Sequence, residues 1–233
     1  MAAAKKETVT IRMPSIKRIP VRIVGDSPLI THAWDEKSKR MMLEAQQRKK
    51  GTKVERWERL PFDDFANSLY WMTEKPTVTY KDAVNGKERQ IVTEELFEQA
   101  VKDGARFGFP ANAVKEAAVS AAYRLGWTKD KVSSSGIFYL TAEDGGDLVE
   151  IKGSTPMLRE DMVRVQMSTD LRYRPIFDPW YMDMILEYNE HGAYSLDEIL
   201  SFIQAGGYGT GIGEWRPEKS CGIYGRFHID TVN

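Results

Sequence analysis

The chain has 233 residues, of which 42% are apolar and 11% aromatic, a composition that is typical of folded globular proteins and excludes a disordered chain. Its formal net charge of -1 excludes a global positive field, so nucleic-acid or lipid binding would need local patches. No apolar run approaches the roughly 20 residues of a membrane helix. The single cysteine, Cys221, and the absence of a secretory signal predict a protein of the reducing cytoplasm without a membrane partner.

The first half of the chain predicts a strand, a basic helix and a long insertion. Residues 19–24 alternate apolar and polar side chains, as in a half-buried strand. Residues 35–48 are rich in helix formers. Residues 37–59 hold nine Lys or Arg against three Glu, which indicates a binding segment or a solvated helix face. Residues 60–100 lack a clear pattern, except that Asn85-Gly86 is typical of a hairpin turn.

The second half contains the stronger periodic segments. They predict a helix over 111–125 after Pro110, short strands over 137–142 and 148–151, a long loop or projecting hairpin over 154–175, a strand over "WYMDMILEY", a helix over 196–205 and a strand over 223–229. Ser195 and Glu198 form a capping box for the second helix, and Gly206 is the predicted terminator.

The order of these elements predicts an α+β protein with a ferredoxin-like βαββαβ core. We expect one domain over residues 1–233, with long insertions at about 35–105 and 154–175. Two helices on one face of an antiparallel sheet would leave the other face available to a ligand.

The stretch from Gly206 to Phe227, "GGYGTGIGEWRPEKSCGIYGRF", has seven glycines among 22 residues. A phosphate loop laid on residues 213–220 fails, because Glu218 takes the place of the required second glycine. The dinucleotide pattern from Gly211 and Gly213 also fails, since Arg216 occupies its third glycine position. The stretch therefore matches neither nucleotide-binding motif.

Two interpretations of this stretch remain open. In one, its glycines let backbone amides approach a single-stranded nucleic acid, its cations neutralise phosphates, and Trp215 or Tyr208 stacks on a base. In the other, the glycines serve tight turns and Trp215 packs on the sheet. The carboxylates of Glu214 and Glu218 oppose phosphate binding unless they point away or pair with neighbouring cations.

Three segments in order resemble RAMP proteins, the RRM-like backbone subunits of CRISPR effector complexes. The glycine-rich stretch is similar to the family's C-terminal loop, "VRIVGDSPLITH" to its first strand, and "FPANAVKEAAVSAAYR" to its helix opening, with Pro110, Lys115 and Arg124. These segments cover about a third of the chain. The blocks "GFPANAVK" and "GEWRPEKS" also resemble phage-encoded proteins. The chain departs from the family pattern because the usual loop is rich in consecutive arginines.

The resemblance implies a non-catalytic protein that binds single-stranded RNA or DNA and assembles into a homo-oligomer or a ribonucleoprotein, without a cofactor. The alternatives are a phage structural or protein-interaction subunit and, ranked last, a metal-dependent nuclease. The expected nucleic-acid-binding residues are Lys37, Lys39, Arg40, Lys115, Arg159, Arg164, Arg172, Arg174, Gly211, Gly213, Trp215, Arg216, Lys219 and Arg226.

A catalytic or metal site has little support in the sequence. His32, His191 and His228 lack the spacing of metal ligands. Asp26 and Asp35 follow the first predicted strand, where some RAMP subunits carry a catalytic aspartate, but neither lies in a matching motif. Asp35 is also placed to cap a helix. We therefore expect no catalytic residues and no metal.

Overall fold

The computed structural model describes residues 13–34, 39, 42–43, 46–47, 56–165, 168–219 and 221–232. Most of the helix predicted over 35–48, and much of the basic segment over 37–59, lie outside the described residues. The described chain is a mixed α+β protein with several antiparallel sheets, which confirms the predicted class.

Five helices belong to the described part of the chain: α1 Pro61–Asn67, α2 Glu94–Lys102, α3 Ala111–Arg124, α4 Lys131–Ser135 and α5 Leu196–Gly209. The strands are β1 Ile16–Gly25, β2 Leu29–Ile30, β3 Tyr70–Trp71, β4 Val78–Lys81, β5 Glu88–Ile91, β6 Phe107–Pro110, β7 Phe138–Thr141, β8 Leu148–Glu150, β9 Met157–Val165, β10 Ser168–Phe177, β11 Tyr181–Asn189 and β12 Phe227–Val232. None of the described helices is long and apolar enough to cross a membrane.

A four-stranded antiparallel sheet, the core sheet, has the order β12-β1-β11-β7. Its first and last strands in the chain, β1 and β12, are direct neighbours, with Val24 opposite His228. In β11 the alternation of the sequence becomes an alternation of burial, since Met182, Met184 and Leu186 are buried while the residues between them are half-buried. The buried side chains of all four strands form one face of the sheet.

Helices α3 and α5 pack against each other and against this buried face. The small apolar stripe of α3, with Ala117 and Ala118, permits close contact with α5. A Cβ on Gly206 would lie 2.6 Å from the Ala118 nitrogen, so only glycine fits between the helices. This packing explains why residue 206 is glycine. Helix α5 continues to Gly209, so the prediction that Gly206 ends the helix is wrong.

The remaining strands form three smaller sheets, with orders β2-β10-β9, β3-β6-β8 and β4-β5. The strands predicted over 137–142 and 148–151 therefore belong to different sheets, as β7 and β8. The Asn85-Gly86 turn joins β4 to β5, with Gly86 at φ +70°. Residues 154–175 include a long β9–β10 hairpin, so the second of the two alternatives for this segment is the one observed.

The C-terminal strand begins later than predicted. It starts at Phe227, and residues 223–226 precede it. Gly225 has φ +64°, and a Cβ there would lie 1.8 Å from the Ile212 carbonyl oxygen. Its amide donates to the Pro28 carbonyl oxygen at 2.8 Å. This turn, which packs on the β1–β2 connection, delays the strand.

Candidate functional site

The β9–β10 hairpin brings three of the predicted arginines onto one face. Arg174 lies opposite Arg159 in the antiparallel register, and Arg172 lies opposite Asp161. Directly opposite residues of paired strands lie on the same face, and so do residues two apart along one strand. All four side chains therefore project to the same side of the hairpin. The glycine-rich loop, residues 210–226, lies against this side through Glu214 and Tyr224. We call these six residues the hairpin–loop cluster.

Two of the three arginines have close partners. Arg159 Nε donates to Asp161 Oδ1 at 2.8 Å, and its Nη1 donates to the Tyr224 hydroxyl at 2.9 Å. The Arg159 guanidinium also lies 4.7 Å from the centroid of the Tyr224 ring. Arg172 Nε lies 2.9 Å from Asp170 Oδ2. These pairs orient the arginines and partly neutralise them.

Arg174 differs, because it is buried without close hydrogen-bond acceptors. Its side chain is 9% exposed, and the nearest carboxylate oxygens, from Asp161 and Glu214, are each 3.8 Å away. Among the described residues nothing accepts a hydrogen bond from its Nε or Nη1. Burial lowers the pKa of Arg174, an effect that the two carboxylates oppose. The guanidinium therefore has nearby counter-charges but unfilled donor capacity, which is costly in a buried group.

The glycine-rich loop is held to the body of the protein at both ends of its cationic stretch. Glu218 Oε1 accepts hydrogen bonds from Ser120 Oγ at 2.7 Å and from Arg124 Nη2 at 2.6 Å. The Glu214 amide donates to the Ile30 carbonyl oxygen at 2.9 Å. The loop therefore has a fixed position between α3 and the hairpin.

The loop glutamates pair with the loop cations. Arg216 Nε lies 3.6 Å from Glu218, and Lys219 Nζ lies 3.5 Å from Glu214. Arg216 also donates to the Gly213 carbonyl oxygen at 3.0 Å. This internal pairing is one of the two arrangements that the sequence required of the glutamates, and it reduces the positive charge that the loop presents.

The two loop glycines singled out in the sequence have structural reasons. The Gly211 amide donates to the Gly206 carbonyl oxygen at 2.9 Å, so it is already used within the protein. Gly213 has φ +77°, and a Cβ there would lie 2.4 Å from the Ile30 carbonyl oxygen. Both glycines therefore serve the close packing of the loop, and their contact with a ligand stays a prediction.

Trp215 is a strained residue beside the cluster. Its φ is +55°, in the left-handed region that a bulky side chain rarely adopts. Its Nε1 is buried and donates to no acceptor in the described residues. Backbone strain combined with an unfilled donor is more frequent at binding sites than in ordinary loops.

The other predicted residues do not join the cluster. Lys37 and Arg40 lie outside the described residues, and Lys39 is exposed. Arg164 lies on the opposite face of the hairpin from Arg159. Lys115 lies on α3, with its ammonium 4.2 Å from the Tyr139 ring centroid. Arg226 lies 5.3 Å from the ring centroid of Tyr208, a side chain that is 72% exposed.

The helix-free face of the core sheet carries charges that are paired across strands. Arg22 binds Asp183 through two hydrogen bonds, at 2.7 and 3.1 Å, and Lys152 donates to the same carboxylate at 3.0 Å. Arg18 donates to Glu187 at 2.6 Å. The hydrogen bonds from Arg22, followed by the hydrogen bond and the charge of Lys152, lower the pKa of Asp183 in spite of burial. This face offers few uncompensated cations.

Asp26 and His228 meet where β1 and β12 adjoin. His228 Nδ1 lies 2.7 Å from Asp26 Oδ1, and both side chains are more than a third exposed. Asp35, the second carboxylate considered for catalysis, lies outside the described residues. In the described ranges no group of three or more His, Cys, Asp or Glu could hold a metal ion.

Sequence reasoning missed Tyr224 and Asp161 as members of the site. Asp161 could have been placed by period-two alternation, because once the hairpin is assumed it falls on the face of Arg159. Tyr224 carries no comparable signal, since its contact with Arg159 spans 65 residues and depends on the course of the loop.

Comparison with protein-family models and with curated proteins gives no match. The resemblance to RAMP proteins stays a prediction from three sequence segments.

Proposed function

We propose that this protein binds single-stranded RNA or DNA along the hairpin–loop cluster, without catalysis, on a ferredoxin-like core. The order of strands and helices supports the proposed core: β1, α3, β7, β11, α5 and β12 follow one another, and the sheet order is β12-β1-β11-β7. Both helices lie on one face of this sheet. The parts that form the cluster, β9, β10 and the loop, are additions to the core.

The observation that carries the proposal is the convergence of three guanidinium groups on one face of the β9–β10 hairpin. The Nε and Nη1 atoms of Arg174 are buried and meet no acceptor in the described chain, and its nearest carboxylate oxygens are 3.8 Å away. Arg159 and Arg172 are each about a third exposed on the same face, so an oxyanion bound there would meet both of these guanidinium groups. Guanidinium matches the geometry of phosphate oxygens better than other side chains do. A phosphodiester is therefore the acceptor that fits this surface.

Aromatic side chains beside the arginines favour a single strand over a duplex. Tyr224 contacts Arg159, and Trp215 is half-buried in the adjoining part of the loop. Stacking of an unpaired base on such a ring is worth about 1–3 kcal/mol, and it is open only to bases outside a duplex. Because Arg216 and Lys219 are neutralised by their own loop, the hairpin arginines provide most of the phosphate contacts in this proposal.

A second candidate function, protein–protein interaction, is favoured by the apolar surface of the same hairpin. On the face opposite the arginines, Met162 is 73% exposed and Leu158 is 41% exposed. Leu171, directly opposite Met162, is 38% exposed. Exposed apolar side chains that cluster on one hairpin are typical of an interaction surface. This surface suits the assembly into an oligomer or ribonucleoprotein that the sequence predicts.

The test is fluorescence anisotropy with a labelled 20-nucleotide oligo(U) or oligo(dT). The Arg159→Gln/Arg172→Gln double variant removes two charges of the cluster, and glutamine retains a hydrogen-bond donor for each site. Its control, Lys102→Gln/Lys129→Gln, removes two charges from exposed lysines outside the cluster. We expect the cluster variant to bind at least tenfold more weakly and the control to change less than twofold. Melting temperatures verify that both variants are folded.

Equal affinities for the two variants would overturn the assignment of the site. Protein that binds no single strand at low salt but forms a stable oligomer by light scattering would favour the second candidate. If the protein cleaves the strand in the presence of magnesium, and Asp26→Asn abolishes this cleavage, the nuclease alternative would be established.

A further inference from the structure

A groove of about 550 Å³ lies between α3 and α4, and Glu218 of the glycine-rich loop also lines it. Val119 and Val132 provide apolar contacts within it, and Lys115, Lys131, Ser120 and Ser135 provide polar ones. Its volume is within the range of small-molecule sites, roughly 300–1,000 Å³. The groove is therefore large enough for a ligand of the size of a nucleotide.

Two ammonium groups line this groove without a carboxylate in direct contact. Lys115 Nζ lies 4.2 Å from the Tyr139 ring centroid, and Lys131 Nζ donates to Ser120 Oγ at 3.1 Å. Neither forms an ion pair within 4.0 Å with a carboxylate of the described chain, and Lys131 interacts with Glu218 only at longer range. Burial lowers the pKa of Lys115, which reports a partly desolvated ammonium. Two such charges in one groove are complementary to an anion.

The carboxylates near the groove do not remove this complementarity. Glu218 Oε1 already accepts hydrogen bonds from Ser120 and Arg124, and Arg216 lies 3.6 Å from its other oxygen. Glu116 lines the groove from an exposed position on α3. Lys115 and Lys131 are thus the cationic groups of the groove that can contact a bound anion.

We propose that this groove binds a phosphate monoester, with Lys115 and Lys131 holding the phosphate and Val119 and Val132 contacting the group it esterifies. A monoester carries about -1.5 to -2 charge at pH 7, which two ammonium ions balance, whereas a carboxylate would leave one of them unpaired. The ester could be a free small molecule or the terminal phosphate of a nucleic-acid strand. The site shares no residue with the hairpin–loop cluster, so it stands or falls independently of the function proposed above.

Isothermal titration calorimetry with phenyl phosphate, in buffer matched in chloride, tests the site directly. We expect saturable binding by the full chain, at least tenfold weaker in Lys115→Gln and in Lys131→Gln. Lys129→Gln, an exposed lysine two residues before Lys131, is the matched control and should stay within twofold. Benzyl alcohol, which lacks the phosphate, should not bind detectably.

A second arm separates the two sources of the ester. Pentanucleotides with a 5′-phosphate or a 5′-hydroxyl are titrated into wild type and into both lysine variants. A lysine-dependent gain for the phosphorylated strand alone, with no phenyl phosphate binding, assigns the site to strand ends. Lysine-dependent binding of phenyl phosphate assigns it to small molecules. The inference is wrong if the binding of neither probe depends on Lys115 or Lys131 in variants that melt like wild type. Binding of the 5′-hydroxyl strand to the hairpin–loop cluster does not affect this conclusion.

Discussion

Replacing Glu218 by Ala should loosen the glycine-rich loop from helix α3. The carboxylate is the acceptor for the buried Ser120 hydroxyl at 2.7 Å and for Arg124 at 2.6 Å, and its own side chain is 21% exposed. Alanine removes both hydrogen bonds and leaves the Ser120 hydroxyl with a single described partner, Lys131. The loop would then keep its backbone contacts to β2 and lose its attachment to the helix.

The size of the effect follows from these two contacts. A hydrogen bond to a charged acceptor contributes about 1.5–3 kcal/mol. The pair with Arg124, a side chain that is 50% exposed, adds about 0.2–1 kcal/mol. We therefore expect the free energy of unfolding to fall by about 2–3 kcal/mol, and the melting temperature by about 4–12 °C for a chain of this length. Glu218→Gln retains an acceptor for Ser120 and should lose only about 1 kcal/mol.

The pH dependence gives this prediction a second measurement. Burial opposes the shift, but the Ser120 hydrogen bond and the charges of Arg124 and Arg216 lower the pKa of Glu218. A depressed carboxyl pKa stabilises the folded state above the unfolded-state value of about 4.3 and loses that contribution as pH falls through the folded-state value. The difference between wild type and Glu218→Gln should thus be constant from about pH 6 to 8 and shrink below about pH 4.

Urea unfolding followed by circular dichroism measures these differences. Glu116→Ala, an exposed glutamate on the same helix, is the control and should change the stability by less than about 0.5 kcal/mol. If Glu218→Ala is as stable as this control, the loop is not anchored through α3 and the reasoning fails.

Three further changes have outcomes fixed by local geometry. Gly225→Ala should lower the free energy of unfolding in urea by more than about 3 kcal/mol, because its Cβ would lie 1.8 Å from a carbonyl oxygen. Gly86→Ala, at φ +70° with open space around it, should lower it by only about 1–2 kcal/mol. Equal losses would refute the packing argument. Ser195→Ala removes the side chain that accepts from the Glu198 amide at the start of α5 and should cost about 1 kcal/mol, while Ser201→Ala should cost less than half of that. Asp183→Asn should cost about 1–2 kcal/mol at pH 7. Because the pKa of Asp183 is lowered, the difference from wild type should shrink as pH falls below about 4; a difference that stays constant below that pH would contradict the ion-pair assignment.

The parts of the fold that could be predicted are those in which local signals and burial agree. The period-two pattern of residues 19–24 lies in β1, and the capping box at Ser195 begins α5 as expected. In each case the pattern that forms the element is also the one that faces the core.

The errors occur where tertiary contacts override a local signal. Gly206 has the residue type of a helix terminator, yet it lies inside α5 because a helix crossing needs its lack of a side chain. Residues 223–226 have a strand pattern, yet Gly225 turns to pack on Ile212. The hairpin arginines were predicted as individual cations. Their convergence depends on a strand register that composition does not encode, and the burial of Arg174 depends on the loop that covers it.

The central claim is that hairpin arginines bind the phosphates of a single strand, and the salt dependence of affinity measures those contacts most directly. Binding of oligo(U) or oligo(dT) is titrated from 50 to 300 mM KCl, and log K is plotted against log salt. Each phosphate contact contributes about -0.7 to the slope for a single strand, so the two accessible arginines, Arg159 and Arg172, predict a slope near -1.4. The Arg159→Gln/Arg172→Gln variant should reduce the magnitude of the slope by about 1.4, and Lys102→Gln/Lys129→Gln should leave it unchanged. No measurable binding at 50 mM salt, or the same slope in both variants, would contradict the account.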